Sequence, residues 1–160
     1  MRALFWQTWQ YHCTGVLYWG LNYWSGMDRP LTPEQRAFPR GPWQSTTTGA
    51  NYMGYGYFIY PGFTPDKPLS SLRLETIRDG IEDYELLHLL NSLVERGAGV
   101  SVRGAGTPAR DPATLARARE VLKVRPEVSK NLRDFDRNGE AMDRERAEIV
   151  RLIGRLETAR

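Results

Sequence analysis

A few residue groups in this sequence have types and spacings that could do chemistry. Glu82-Asp83 is the one adjacent pair of carboxylates, and paired carboxylates can serve as general acid and base. The residues around the pair read as a helix, however. Neighbours on a helix point about 100° apart, because a turn takes 3.6 residues. The pair is therefore expected on a solvated face or in a dipole interaction, with no catalytic role. A second group is Asp134, Asp136, Asn138, Gly139 and, six residues on, Glu145. These are the residue types an EF-hand calcium loop needs, at its spacing. Against calcium, Ala141 stands where a paired hand has an aliphatic side chain, and no second hand is present. His12 and His88 have no carboxylates at ligand spacing, so no metal site is proposed and both are expected to pack buried or half-buried. Cys13 is the single cysteine, which rules out an internal disulfide and a cysteine zinc site. It reads as a buried thiol at a helix end. Gly97-Ala-Gly99 and Gly104-Ala-Gly106 lack the spacing and the following helix of a dinucleotide fingerprint. No cofactor is expected.

The elements that position these residues follow from periodicity and punctuation. Residues 2–12 read as a helix ending near Cys13. Residues 16–23 are apolar on both faces, which suits a parallel barrel strand. Residues 25–53 form a long loop rich in Pro, Gly, Ser and Thr, and loops of that length usually serve a site. Residues 54–62, Gly-Tyr-Gly-Tyr-Phe-Ile-Tyr-Pro-Gly, read as an aromatic strand bounded by Gly and Pro. Whether it closes a barrel or pairs as an antiparallel extension is left open by the sequence. A long helix follows over 71–96, with Ser70 or Ser71 as its N-cap and Leu74, Ile77, Ile81, Tyr84 and His88 on one stripe. Gly80 inside it suggests close approach of a neighbouring backbone. Residues 97–110 are a flexible connector. Helices over 111–123 and 140–157 end the chain, the second with Ile149, Leu152, Ile153 and Leu156 on its apolar side.

Composition narrows the classes. The 160 residues fit one domain. The net charge of +3 comes from 22 basic residues interspersed with 19 acidic ones. Nucleic-acid binding would require a clustered basic patch, so it is not expected. No apolar run is long enough to cross a membrane, and no secretion signal is visible at the N-terminus. All five Trp and seven of the eight Tyr precede residue 61. The first part thus reads as tightly packed or ligand-facing, the second as ordinary amphipathic helix.

Two stretches carry a family resemblance. "YFIYPG" followed by "SLRLETIRDGIEDYELL" resembles the C-terminal part of glycoside hydrolase family 123, and "WQYHCTGVLYWGLNYW" resembles that family's helix-then-strand segment. Tyr55 stands where the family usually has Asp. The resemblance covers most of residues 2–96 and, more weakly, the helical tail. It implies an α/β fold: a C-terminal fragment of a (β/α)8 barrel, with two or three strands, followed by a helical tail. The division would be 1–96 for terminal strands, aromatic loop and closing helix, 97–110 for the connector and 111–160 for the tail. Because Met1 opens inside an aromatic helix, a longer protein is expected upstream.

The resemblance also implies the chemistry. In the family an Asp-Glu pair on a barrel strand acts on N-acetyl-hexosaminides, with the substrate's own acetamide oxygen attacking the anomeric carbon. That pair belongs upstream and is absent here, so no catalytic residue is assigned and the chain alone is expected to be inactive. A part of the pocket wall remains, because barrel sites lie at the C-terminal ends of strands. Trp19, Asn22, Trp24, Trp43, Tyr60 and Arg73 are its candidates. Aromatic faces suit the C–H face of a sugar, and Asn22 and Tyr60 could bond hydroxyls or the acetamide. For Trp24, Trp43 and Tyr60, core packing fits equally well, and an ion pair with Glu75 or an upstream acid suits Arg73. The expected partners are a carbohydrate and the upstream part of the same enzyme, with no nucleic acid and no membrane. The alternatives are a non-catalytic carbohydrate-binding or scaffold module, and a calcium-binding module resting on residues 134–145.

Overall fold

A computed structural model describes residues 1–22, 56–60, 62, 66–99 and 111–158, with side chains as far as 97 on the long helix. Among these residues there are four helices: α1 Ala3–Gln10, α2 Leu72–Gly99, α3 Pro112–Val121 and α4 Glu140–Thr158. Two short strands, β1 Ile59–Tyr60 and β2 Leu69–Ser70, pair antiparallel with Ile59 opposite Ser70 and Tyr60 opposite Leu69. The chain divides into two compact units, Met1–Val16 with Ile77–Arg160, and Leu17–Thr76.

The first unit is helical, and its core follows helical spacing. Asp83, Leu87, Leu90 and Val94 on α2 recur at steps of four, three and four and are all buried. Leu115, Ala118 and Val121 do the same on α3, and Met142, Ile149, Leu152 and Leu156 on α4. Together with Ala3 and Trp6 of α1, and Val124 and Val128 beyond α3, the apolar members form one cluster. Each fully buried Leu or Ile contributes about 1.5–3 kcal/mol relative to exposure. The stripe on α4 matches the expectation from sequence. That on α2 is rotated from it: Ile81 is half-exposed, His88 is exposed, and the buried line runs through Gly80 and Asp83. Gly80 is small because α1 lies against it. A methyl group there would overlap the Phe5 ring.

Polar contacts tie α1 to the C-terminal half of this unit. Trp9 donates its indole N–H to the Leu122 carbonyl at 2.8 Å, and its ring meets Tyr84 edge-on at 5.8 Å. Gln7 and Gln10 donate to the carbonyls of Asn131 and Ser129 at 3.2 and 2.9 Å. Cys13, expected buried, is exposed, and so is His12, whose positive φ of 55° turns the chain out of α1.

Side-chain oxygens cap two helices. Ser71 Oγ accepts the Leu74 N–H at 3.2 Å at the start of α2, and the Asp111 carboxylate accepts the amides of Ala113 and Thr114 at the start of α3.

In the second unit the expected strand over 16–23 does not form among the residues described. Residues 14–22 carry no regular strand, and Leu17 is 92% exposed. Asn22 makes a single antiparallel bridge to Tyr57. The Leu21 carbonyl accepts two successive amides, Phe58 at 2.7 Å and Ile59 at 3.0 Å. One residue facing two is the pattern of a β-bulge, which halts ladder pairing. Of the aromatic strand expected over 54–62, Ile59–Tyr60 is strand among the described residues, and its partner is antiparallel.

Candidate functional site

The six residues expected to line a sugar site lie within Leu17–Thr76, and four of them can be placed. Arg73 is in the first turn of α2. Its Nη1 donates to the hydroxyl of Tyr60 at 3.3 Å and to the carbonyl of Tyr57 at 3.4 Å. The rings of Tyr57 and Tyr60 meet edge-on at 5.9 Å. Asn22 bridges to the same Tyr57 through its backbone. Tyr57 and Phe58 are buried. Tyr18 meets Phe58 edge-on at 4.6 Å, and Trp19 stacks on Tyr18 at 6.4 Å with its ring nearly half exposed. Tyr60 and Arg73 are thus in direct contact, Asn22 joins them through Tyr57, and Trp19 joins through Tyr18 and Phe58. Trp24 and Trp43 lie outside the described residues.

The sequence reading missed the residues that do the joining. Tyr57 and Tyr18 were legible only as members of aromatic runs. Glu75, a suggested partner for Arg73, accepts the Ser70 hydroxyl at 2.7 Å.

The acidic pair on α2 has a different role from the one expected. Asp83 is not on a solvated face but is 1% exposed. Its carboxylate accepts from the Trp6 indole at 2.8 Å, from Arg146 Nη1 at 2.8 Å and from two nitrogens of Arg2. A buried carboxylate needs such partners, since leaving one unpaired costs several kcal/mol. The sequence conceals this because the partners lie far along the chain, on α1 and α4. Glu82, one residue away, is exposed and accepts from Arg146 Nη2 at 2.7 Å. That bond, more than anything else, holds the Glu82 carboxyl below the usual carboxylate range. Arg2 is held above its ordinary value: burial disfavours the cation, but its bonds to Asp83 and Asp143 outweigh that. Both carboxylates of the pair are engaged by arginine, an arrangement that supports structure and offers no free acid.

The calcium-like residues are also engaged. Asp136 accepts four backbone amides, those of Asn138, Gly139, Ala141 and Met142, at 2.7 to 3.3 Å. It thereby covers the free N–H groups at the start of α4. Burial opposes its ionisation, but these four amides outweigh it and keep the carboxyl below its usual range. Gly139 takes a φ of 87°, which its missing side chain permits. Glu145 is on α4 and pairs with Arg125 at 2.9 Å. No three His, Cys, Asp or Glu side chains gather as a metal site among the described residues. No described helix is long and apolar enough to cross a membrane.

Residues 1–90 match the family described as glycoside hydrolase 123, catalytic domain. That span holds α1, the buried Tyr57 and Phe58, all six sugar-site candidates and most of α2, and ends before α3. No curated protein and no solved structure matches the chain.

Proposed function

The chain belongs to the glycoside hydrolase 123 catalytic-domain family, and from that premise we propose that residues 17–76 form part of a carbohydrate cleft for N-acetyl-hexosaminides. The enzyme would be of the β-N-acetylgalactosaminidase kind, with these residues at the end of a (β/α)8 barrel. The observation that carries the reading is the placement of Arg73. Its guanidinium fixes the Tyr60 hydroxyl and the Tyr57 carbonyl, while Trp19, linked through Tyr18 to Phe58 in the same unit, is 46% exposed. A fixed polar group and a solvent-accessible aromatic residue are what a sugar ring needs. Trp19 would stack on the C–H face, and Asn22 would bond a hydroxyl or the acetamide. Trp24 and Trp43 would extend the wall.

Hydrolysis requires two further groups: an acid to protonate the leaving oxygen, and a carboxylate to orient the acetamide for its attack. The one adjacent acidic pair does not offer them, because Asp83 is enclosed by Arg2, Trp6 and Arg146. This chain therefore binds without cleaving, and the reactive carboxylates come from a further part of the same enzyme.

The test has two arms. Incubation with an aryl N-acetyl-β-galactosaminide is expected to release no aryl alcohol, and clear turnover would overturn the assignment of the missing carboxylates. Titration with N-acetylgalactosamine is expected to quench tryptophan fluorescence saturably, and Trp19→Ala to reduce that response and weaken the affinity. A response and affinity unchanged by the substitution would remove Trp19 from the wall.

A further inference from the structure

Outside that region, within the helical unit, α3, the segment after it and α4 enclose a cavity of about 350 Å³. Four arginines line it, Arg117, Arg125, Arg144 and Arg151, together with Glu127, Glu145 and Glu148. Four cations against three carboxylates leave the site basic. Arg117 and Arg151 share one carboxylate, that of Glu148, at 3.1 and 2.7 Å. Arg144 has only a long contact of 3.9 Å to Glu140. A guanidinium carries five donors and no acceptor. One carboxylate shared between two such groups leaves N–H donors unused on side chains that line the cavity.

The floor is the reverse. The Glu145 side chain is only 7% exposed, and its Oε1 accepts from Arg125 at 2.9 Å. Its Oε2 is buried and has no hydrogen-bond partner. A buried carboxylate oxygen without a donor is costly, more so than a neutral one. The backbone beside it is strained too: Val124, immediately before Arg125, has a φ of 53°, which a β-branched residue rarely adopts. Strain of that kind persists where a geometry is imposed by its surroundings, and it clusters at binding sites.

A ligand that satisfies both features must bring a hydrogen-bond donor to Glu145 Oε2 and an anionic group to the arginines. We propose that this cavity is a binding site for a small anionic polyol, a sugar carrying a carboxylate or a phosphate, held by its hydroxyls on Glu145 and by its anion on Arg144 and Arg151. Its volume is within the range of small-molecule sites. A neutral sugar satisfies only the floor, and an inorganic anion only the rim.

Calorimetric titration of the full chain with glucuronate, glucose 6-phosphate, glucose and sulfate tests this. Glucuronate or glucose 6-phosphate is expected to bind at least about tenfold more tightly than both glucose and sulfate, the scale of one hydrogen bond to a charged group. Whichever of the two is tighter identifies the anion. Glu145→Gln should weaken that binding by a similar factor. The Gln oxygen will face the Arg125 donor and turn the amide nitrogen, a second donor, into the cavity. Arg144→Ala removes an exposed side chain that folding does not need, and should weaken the anionic sugars while leaving glucose unchanged. Sulfate binding as tightly as glucuronate, indifference of glucuronate binding to both substitutions, or no binding of either anionic sugar would each overturn the proposal.

Discussion

The indole N–H of Trp6 reaches Asp83 Oδ2 at 2.8 Å, and both side chains are fully buried. An apolar anchor and a charge thus share one point in the interior, where α1 meets α2. The indole fills space among leucines and at the same time supplies a donor that the carboxylate requires.

Removing that carboxylate should be costly. Asp83→Asn keeps the shape but removes one of the two counter-charges of the part-buried Arg2, which keeps Asp143, and one of the two of Arg146, which keeps Glu82. Breaking one partner of a buried pair typically costs about 3–5 kcal/mol. The urea midpoint of Asp83→Asn should fall by a corresponding amount or the protein should fail to fold. Glu82→Gln, at the exposed neighbour, should leave the midpoint unchanged. Equal effects at the two positions would refute the distinction.

Gly80→Ala sets helix propensity against packing. Alanine gains about 1 kcal/mol within a helix, whereas overfilling a packed contact costs about 1–3 kcal/mol. Because the added methyl falls on the Phe5 ring, the single variant should be destabilised, by roughly 1 kcal/mol net. In a background of Phe5→Ala the same change should become stabilising. A double-mutant cycle measures this, and additivity of the two changes would contradict the contact.

Asp136→Ala should expose the first amides of α4 and cost about 1–2 kcal/mol, the usual range for a lost cap. Asp136→Asn, which can still accept, should cost less. Because the folded carboxyl is held below its ordinary value of 3.8, its contribution is complete above that pH. It is lost as the pH falls through the lower folded value. Denaturation curves taken from neutral to acidic pH should show the difference between parent and Asp136→Ala shrinking only at the acid end.

Glu145 should behave in the opposite sense. Burial raises its carboxyl above the ordinary 4.5; Arg125 and Arg117 oppose the rise, while Glu148 and Glu127 add to it. The native state therefore keeps this proton to a higher pH than the unfolded chain does. Stability from this group is fully present below the ordinary value and falls as the pH rises through the folded one. Relative to Glu145→Gln, the parent should lose stability as the pH rises above 4.5. A difference that stays flat on that rise would contradict the shift.

Much of the helical architecture was readable from residue order. The stripe of Ile149, Leu152, Ile153 and Leu156 has only one helical phase that buries it, and Ser71 and Asp111 sit where a cap oxygen is needed. The phase of α2 was not readable, because its buried line passes through Gly80 and Asp83. Neither looks like core until Phe5, Arg2 and Arg146 are known to meet them. The segment of residues 16–23 was misread for a related reason. Alternating apolar groups suit a strand, but the Leu21 carbonyl takes two amides and Leu17 remains in solvent. Of the proposed wall, the residue types were visible, while the contacts of Arg73 with Tyr60 and Tyr57 span 13 and 16 positions, a separation that periodicity does not encode.

Arg2 bonds Asp143, a partner 141 positions later in the chain, and Gln7 and Gln10 reach across almost as great a separation. During synthesis, α1 can meet α2 through Phe5, Trp6 and Trp9 as soon as that helix is made, but its bonds to α4 and to the segment after α3 must wait for those later residues to be synthesised. Contacts this distant make folding slow. Over that interval the α1–α2 surface still lacking those partners is available to chaperones, and to other nascent copies of the same chain.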